Sequence, residues 1–172
     1  DPSFKSPAKP IGRPRSDGTH RLVSSPSPLE ILDLSVIESL LGLGVVVVAC
    51  GGGGIPMVKK AGTVTGVEAV IDKDLCTALL AERTGARRMV IVTDVEGIKT
   101  NFGTKEEKLV KNIRSDELRT LLEKGQFPAG SMAPKVQAVL QFGDATGGTA
   151  AIGALTHLTD VVNGRAGTQI TS

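Results

Sequence analysis

Apolar residues recur along this chain in two rhythms. Leu29, Leu32, Val36, Ile37 and Leu40 fall on one face at helical spacing. Ser27-Pro28-Leu29-Glu30 reads as a capping box with proline at the first helical position, so a helix is predicted to begin there and to stop at Gly42 and Gly44. The continuous run Val45 to Val48 then predicts a strand buried on both faces of a parallel sheet. Pro56 to Val70 alternates weakly around Ala61-Gly62, which predicts a short hairpin. Asp72 is placed to cap a helix through Leu75, Leu79 and Leu80 to Gly85, and Arg88 to Thr93 follows as a strand. Ser115 is read as the cap of a helix through Leu118, Leu121 and Leu122, and Ser131 as the start of another through Val136, Val139 and Leu140. Thr149 to Ala154 returns to strand. Strands alternating with helices predict an open α/β sheet with ligands at the carboxyl ends of its strands, and there are too few βα units for a TIM barrel.

Composition changes this picture at the edges. Residues 1–27 are rich in Pro, Ser, Lys and Arg without an apolar period and are expected to form an extended arm, leaving residues 28–172 as one α/β domain. The 20 basic and 18 acidic residues leave a formal charge of +2, too balanced to argue for a nucleic-acid or membrane partner. Cys50 and Cys76 form neither a CxxC pair nor a zinc spacing and are read as reduced, small core residues. The apolar run ending at Cys50 is too short to span a bilayer and no cleavable leader precedes it, so a soluble cytoplasmic protein is expected. The sequence opens at Asp1 without a methionine, and a fragment of a longer protein is expected. Twenty-one glycines against four phenylalanines, with no Trp or Tyr, suit a backbone that approaches a phosphate closely.

The candidate chemistry sits where the predicted elements meet loops. Gly51, Gly52, Gly53 and Gly54 follow the predicted strand at Val45–Val48, so their N–H groups are placed to hold phosphate oxygens, or they form a plain flexible turn. The run is no Walker loop, because no Gly-Lys-Ser/Thr follows, and it fails G-x-G-x-x-G in both registers. Asp72-Lys73-Asp74 opens a helix beside its positive dipole end. Lys73 and Asp74 suit phosphoryl transfer, as a cation for the equatorial oxygens and a carboxylate to position it, or they are solvated charges behind a cap. Lys135, at the predicted helix start within Ala129 to Lys135, offers a second such cation or a surface lysine after a proline. Asp94 and Val95 end a strand where α/β folds bind ligands, although Asp94 also suits a turn, and Asn101-Phe102-Gly103 follows in a loop. His20 and His157 lack partners at ligand spacing, so no histidine-based metal site is expected. Lys105 to Lys108 reads as a solvated loop or helix edge without a role.

Three of these segments, Ala49 to Pro56, Gly66 to Asp74 and Ala129 to Lys135, occur in an order that closely resembles carbamate kinases, of the amino-acid-kinase superfamily. Thr93-Asp94-Val95, Asn101-Phe102-Gly103 and Gly164 to Thr168 match as well, so the likeness runs from about Ser25 to the end. It implies a three-layer α/β sandwich around a mainly parallel sheet, and reversible phosphoryl transfer between carbamoyl phosphate and ADP giving ATP and carbamate. It also implies ATP/ADP with Mg2+, a homodimer, and a place in arginine or related nitrogen catabolism. By the resemblance Lys73 and Lys135 stabilise the transferring phosphoryl group, Asp74 orients those lysines, and the backbone of Gly51 to Gly54 lines the phosphate crevice. The loop holding Asp94, Val95, Asn101 and Phe102, together with Ser131 and Met132, then contributes to nucleotide binding. Asp1 to Lys5 and Lys9 to Gly12 resemble the start of the family's protruding subdomain, in which a lysine reaches toward substrate, and Lys9 is the match. The family's first half, with its Gly-Gly-Asn motif, does not occur here, and the protruding segment between Gly12 and Arg21 is short. Lys99 stands where the family often has tyrosine. A non-catalytic nucleotide-binding half-protein and another phosphotransferase of the superfamily are the competing expectations.

Overall fold

Two hydrophobic stretches, Arg88–Thr93 and Thr149–Ala154, lie side by side in the main sheet. The computed structural model describes residues 8–11, 21–128 and 131–171, with the side chains of 8–11 and of Arg21 and Leu22 excepted, and its chain groups into two compact units, residues 1–77 and 78–172.

In the first unit, β1 (Ala8–Ile11) pairs antiparallel with β2 (Arg21–Ser24), placing Lys9 opposite Val23. Helix α1 covers Leu34–Gly42. The hairpin expected around Ala61-Gly62 is present as β3 (Met57–Lys60) and β4 (Thr63–Gly66), with both turn residues at positive φ, 47° and 81°. Val70 N–H donates to the Ser24 carbonyl at 2.9 Å, beside a parallel bridge between Ser24 and Ala69.

Two expectations fail in this unit. The helix begins at Leu34 and not at the Ser27 capping box; its first carbonyl is that of Asp33, which accepts from Val36 and Ile37 N–H at 3.1 Å each. Leu29, Leu32 and Val36 stay 83%, 49% and 58% exposed, so the part of the apolar face that was to drive an earlier start finds no packing among the described residues. A short helix draws most of its stability from such packing. Residues Val45–Val48 form no strand either, and Val46 and Val48 are 91% and 97% exposed. Extended backbone becomes a strand only against a hydrogen-bonding neighbour, and among the described residues none pairs with this run.

Helix α2 (Lys73–Arg83) carries the division between the units, and Gly85 at φ +67° ends it. The second unit continues with β5 (Arg88–Thr93), β6 (Lys99–Thr100), β7 (Lys108–Leu109), β8 (Asn112–Arg114), α3 (Ser115–Glu123), α4 (Met132–Thr146), β9 (Thr149–Ala154), a 3-10 turn at Leu155–His157, α5 (Leu158–Val162) and β10 (Thr168–Thr171). The sheet order is β5-β9-β10-β8, with β5∥β9 and β10∥β8 parallel and one antiparallel joint between β9 and β10. A Cβ on Gly148 would strike Phe142 of α4 at 2.7 Å, whereas one on Gly153 would strike Val161 of α5 at 2.5 Å. Gly148 immediately precedes β9 and Gly153 lies within it, so α4 and α5 both pack against this strand. Phe142, Leu118, Ile152, Val136, Val139 and Val161 are almost wholly buried.

Ser115 does not cap α3. It is the first helical residue, and its hydroxyl donates to the Thr171 carbonyl at 3.0 Å, while Asp116 Oδ1 accepts from Glu117 N–H at 3.0 Å. Among the described residues, no helix is long and apolar enough to cross a membrane.

Candidate functional site

The glycine loop and the Asp72-Lys73-Asp74 triplet meet within the first unit. Cys50, Gly51, Gly53 and Gly54 all take positive φ, and the loop closes on itself through Gly51 N–H to the Ala49 carbonyl and Gly53 N–H to the Cys50 carbonyl, both 2.8 Å. Two of the four expected phosphate-facing amides are therefore turned inward, while Gly52 and Gly54 are exposed. Gly53 is buried against α2's lead-in: a Cβ there would lie 2.1 Å from the Ile71 carbonyl oxygen, so only glycine permits the approach.

Directly after Ile71, Asp72 Oδ1 accepts from the N–H groups of Asp74 and Leu75 at 2.9 and 3.3 Å, the cap expected of it. Lys73 Nζ lies 2.8 Å from Asp74 Oδ1, with the lysine side chain 54% exposed and the aspartate only 9%. A nearly buried carboxylate thus holds an accessible ammonium at the positive end of a helix, where oriented amides already favour an anion. Beneath the loop, burial first and then a hydrogen bond to Cys50 push the Cys76 thiol up to about 12. Cys76 is a core residue as expected, whereas Cys50 is only half-buried.

The remaining candidates lie in the second unit. At the carboxyl end of β5, Thr93 Oγ1 donates to Asp94 Oδ1 at 3.0 Å, leaving Asp94 exposed and Val95 half-buried. The chain then dives inward at Ile98, wholly buried, whose N–H donates to Thr168 Oγ1 at 2.8 Å while that hydroxyl donates to the Val110 carbonyl at 2.5 Å. Val110 N–H returns to the Ile98 carbonyl at 2.9 Å. These bonds pinch the neck of a loop that β6 and β7 line, and Thr168, which nothing in the one-dimensional pattern marked as a structural pin, closes it.

At the loop's tip Asn101 takes φ +50° and donates its N–H to Gln126 Oε1 at 3.2 Å, and Phe102 stays 58% exposed. Gln126 belongs to the connection entering α4, which begins with exposed Ser131, half-buried Met132 and, one turn on, half-buried Lys135. Ser131 makes no side-chain cap; Ser131 and Ala133 N–H donate to the Pro128 carbonyl at 3.3 and 3.1 Å. Ala129 and Gly130 of that motif lie outside the described residues, as does the segment from Asp1 to Pro7. Lys9 is placed by its backbone alone, and its side chain also lies outside them. A cleft of about 320 Å3 opens beside Glu96 and Ala154 at the carboxyl ends of β5 and β9, with Lys111, His157 and Arg165 on its wall. Among the described residues no group of three His, Cys, Asp or Glu is set to hold a metal.

Residues 5–152 match the model of the amino acid kinase family. The chain belongs to this family. Among curated amino acid kinases, the carbamate kinase of Thermoplasma volcanium is 41% identical over 188 residues, covering 99% of this chain and 62% of its own. A solved carbamate kinase from Giardia superposes with a TM-score of 0.90 at 38% identity, covering 99% of this chain and 59% of that one. A second, from Giardia lamblia and bound to AMP-PNP, superposes at 0.85 with 40% identity, over 88% and 53% of the two chains. The chain thus spans about three fifths of the length of the curated amino acid kinases it matches. The α/β sandwich with its mainly parallel sheet, expected from the motifs, is the fold of these solved relatives.

Proposed function

We propose that the protein carrying this chain is a carbamate kinase, which moves a phosphoryl group reversibly from carbamoyl phosphate to ADP, giving ATP and carbamate. The carrying observation is the Lys73–Asp74 pair, 2.8 Å apart at a helix start that the glycine loop abuts. In this reaction an ADP β-phosphate oxygen forms the new bond to phosphorus while the bond from phosphorus to the carbamate oxygen breaks, and carbamate leaves to fall apart into ammonia and carbon dioxide. Charge builds on the transferring oxygens, so fixed cations accelerate it more than any covalent group. Lys73 supplies one, held by Asp74, and Lys135 another; the amides of exposed Gly52 and Gly54 bind phosphate oxygens. Asp94, Val95, Asn101, Phe102, Ser131 and Met132 receive the nucleotide. Mg2+ enters as part of the nucleotide substrate, bound to its phosphates. By the resemblance, Lys9 is the residue we assign to the carbamoyl group.

The test is ATP formation from ADP, Mg2+ and carbamoyl phosphate by the intact protein, read by a coupled assay. Turnover supports the proposal; ADP binding with no ATP formed would replace it with a non-catalytic nucleotide-binding protein. The resemblance also leads us to propose a cytoplasmic homodimer, which light scattering and cell fractionation check.

A further inference from the structure

The segment from Lys105 to Lys108 carried no assigned role in the sequence, yet one of its residues ties the candidate nucleotide loop together. Glu107 Oε2 accepts the Gly103 N–H at 3.0 Å, and Glu107 Oε1 accepts from Lys99 Nζ at 2.7 Å. One carboxylate thereby joins both legs of the loop to its tip. The rest of the loop is stitched to itself: Thr104 N–H and Oγ1 both donate to the Asn101 carbonyl, at 3.1 and 2.8 Å, and Glu106 N–H donates to Thr104 Oγ1 at 3.1 Å. Phe102 and Asn101 sit between these anchors, with Phe102 one of only four phenylalanines in the chain and 58% exposed. An exposed aromatic ring on a loop with so many internal bonds has already given up the freedom that binding would otherwise remove.

We propose that Glu107 and Lys99 form a positioning pair that fixes the Asn101–Phe102 tip for the nucleoside of ADP and ATP, so that the lysine at position 99 acts through its carboxylate partner in place of the tyrosine common in the family. The inference rests on the nucleotide-site reading above. Neither residue is a catalytic group; both act on binding through the loop. Lys99 faces Glu107 and, more distantly, Glu96. Glu107 faces Lys99 and the Gly103 amide.

The experiment compares variants in the intact protein by direct ADP titration and by steady-state kinetics. Glu107→Ala is expected to raise both the Kd and the KM for ADP about tenfold, with kcat and the carbamoyl-phosphate KM within about twofold. Glu107→Gln keeps an oxygen for Gly103 and loses the charge facing Lys99, so it should sit between, at about threefold. Lys99→Met should match it, Lys99→Arg should restore wild-type binding, and the Lys99→Met/Glu107→Gln double variant should be no worse than either single change. Unchanged ADP constants in Glu107→Ala overturn the proposal, as does a loss shared equally by kcat, both KM values and the thermal midpoint. A wild-type protein that binds ADP but makes no ATP would defeat the kinase reading alone, because the ADP titrations still decide the pair.

Discussion

Val45-Val46-Val47-Val48 and Met89-Val90-Ile91-Val92 are near-equivalent as text, each an apolar run rich in β-branched residues that leads into a loop of candidate site residues. The second is the heart of β5: it pairs in parallel register with β9, Met89 against Ala150 through Val92 against Gly153, and Met89 and Ile91 are 3% and 5% exposed. The first forms no strand, and Val46 and Val48 stand in solvent. Strand propensity describes how well a residue suits a pleated, half-buried surface, and only a neighbouring strand supplies that surface. The loop after Val48 nevertheless keeps its form, because Gly53 is held against Ile71 by a contact that does not need the strand. The geometry of the glycine loop is thus built locally, while the sheet is built by partners.

The sharpest way to break this contrast is to truncate side chains in both regions. Phe142→Ala should destabilise the protein by about 3–5 kcal/mol through the cavity it leaves between α4 and the sheet, while Val46→Ala should cost less than about 0.5 kcal/mol in urea denaturation of this chain. A large cost at Val46 would show that the run is buried after all. Gly53→Ala comes next, at about 2–4 kcal/mol, since the new Cβ meets a backbone oxygen at positive φ; ADP affinity should fall with it, and a neutral result would detach the glycine loop from α2.

Thr168→Val should cost about 1–3 kcal/mol by orphaning the buried Ile98 N–H and the Val110 carbonyl, read as earlier exchange of the Ile98 amide. The smallest effect is in pH. The Gly103 N–H, then Lys99, holds Glu107 below its ordinary 4.5. A carboxylate lowered on folding contributes stability above its unfolded pKa and loses it as pH falls through the folded one. Glu107's contribution to ADP affinity should thus be constant from neutral pH down to the ordinary carboxylate range and fade below it, whereas Glu107→Gln should lack that acid limb. An identical acid limb in the variant would assign the titration elsewhere.

What could be read from the sequence follows the same division. The Asp72 cap, α2, the strands β5 and β9 and the Ala61-Gly62 hairpin were legible because each is set by neighbours in the chain: a side-chain oxygen two or three residues from the amides it accepts, a compact apolar run, a turn that tolerates positive φ. The start of α1 was misread because the capping box is only a permission, and the exposed faces of Leu29 and Val36 give the extra turn nothing to bury. The strand β10 was not read as a strand, and only Thr168 fell within a matched motif, since Thr168-Gln169-Ile170-Thr171 is short and polar and gains its identity from β9 and β8 on either side. Of the site, Lys73 with Asp74 was visible, being adjacent; Glu107 and Thr168 were not, because their partners stand 8 residues and 58 to 70 residues away. Seen in one dimension, Lys105 to Lys108 is indistinguishable from any solvated charge run.

Single-turnover phosphoryl transfer in the intact protein with Lys73→Ala, and separately with Lys135→Ala, tests the central claim most directly. If these cations stabilise the transferring phosphoryl group, each substitution should slow the chemical step by at least about 100-fold while ADP still binds within a few-fold of wild type. Transfer at near wild-type rate with either lysine removed would contradict the role given to it here.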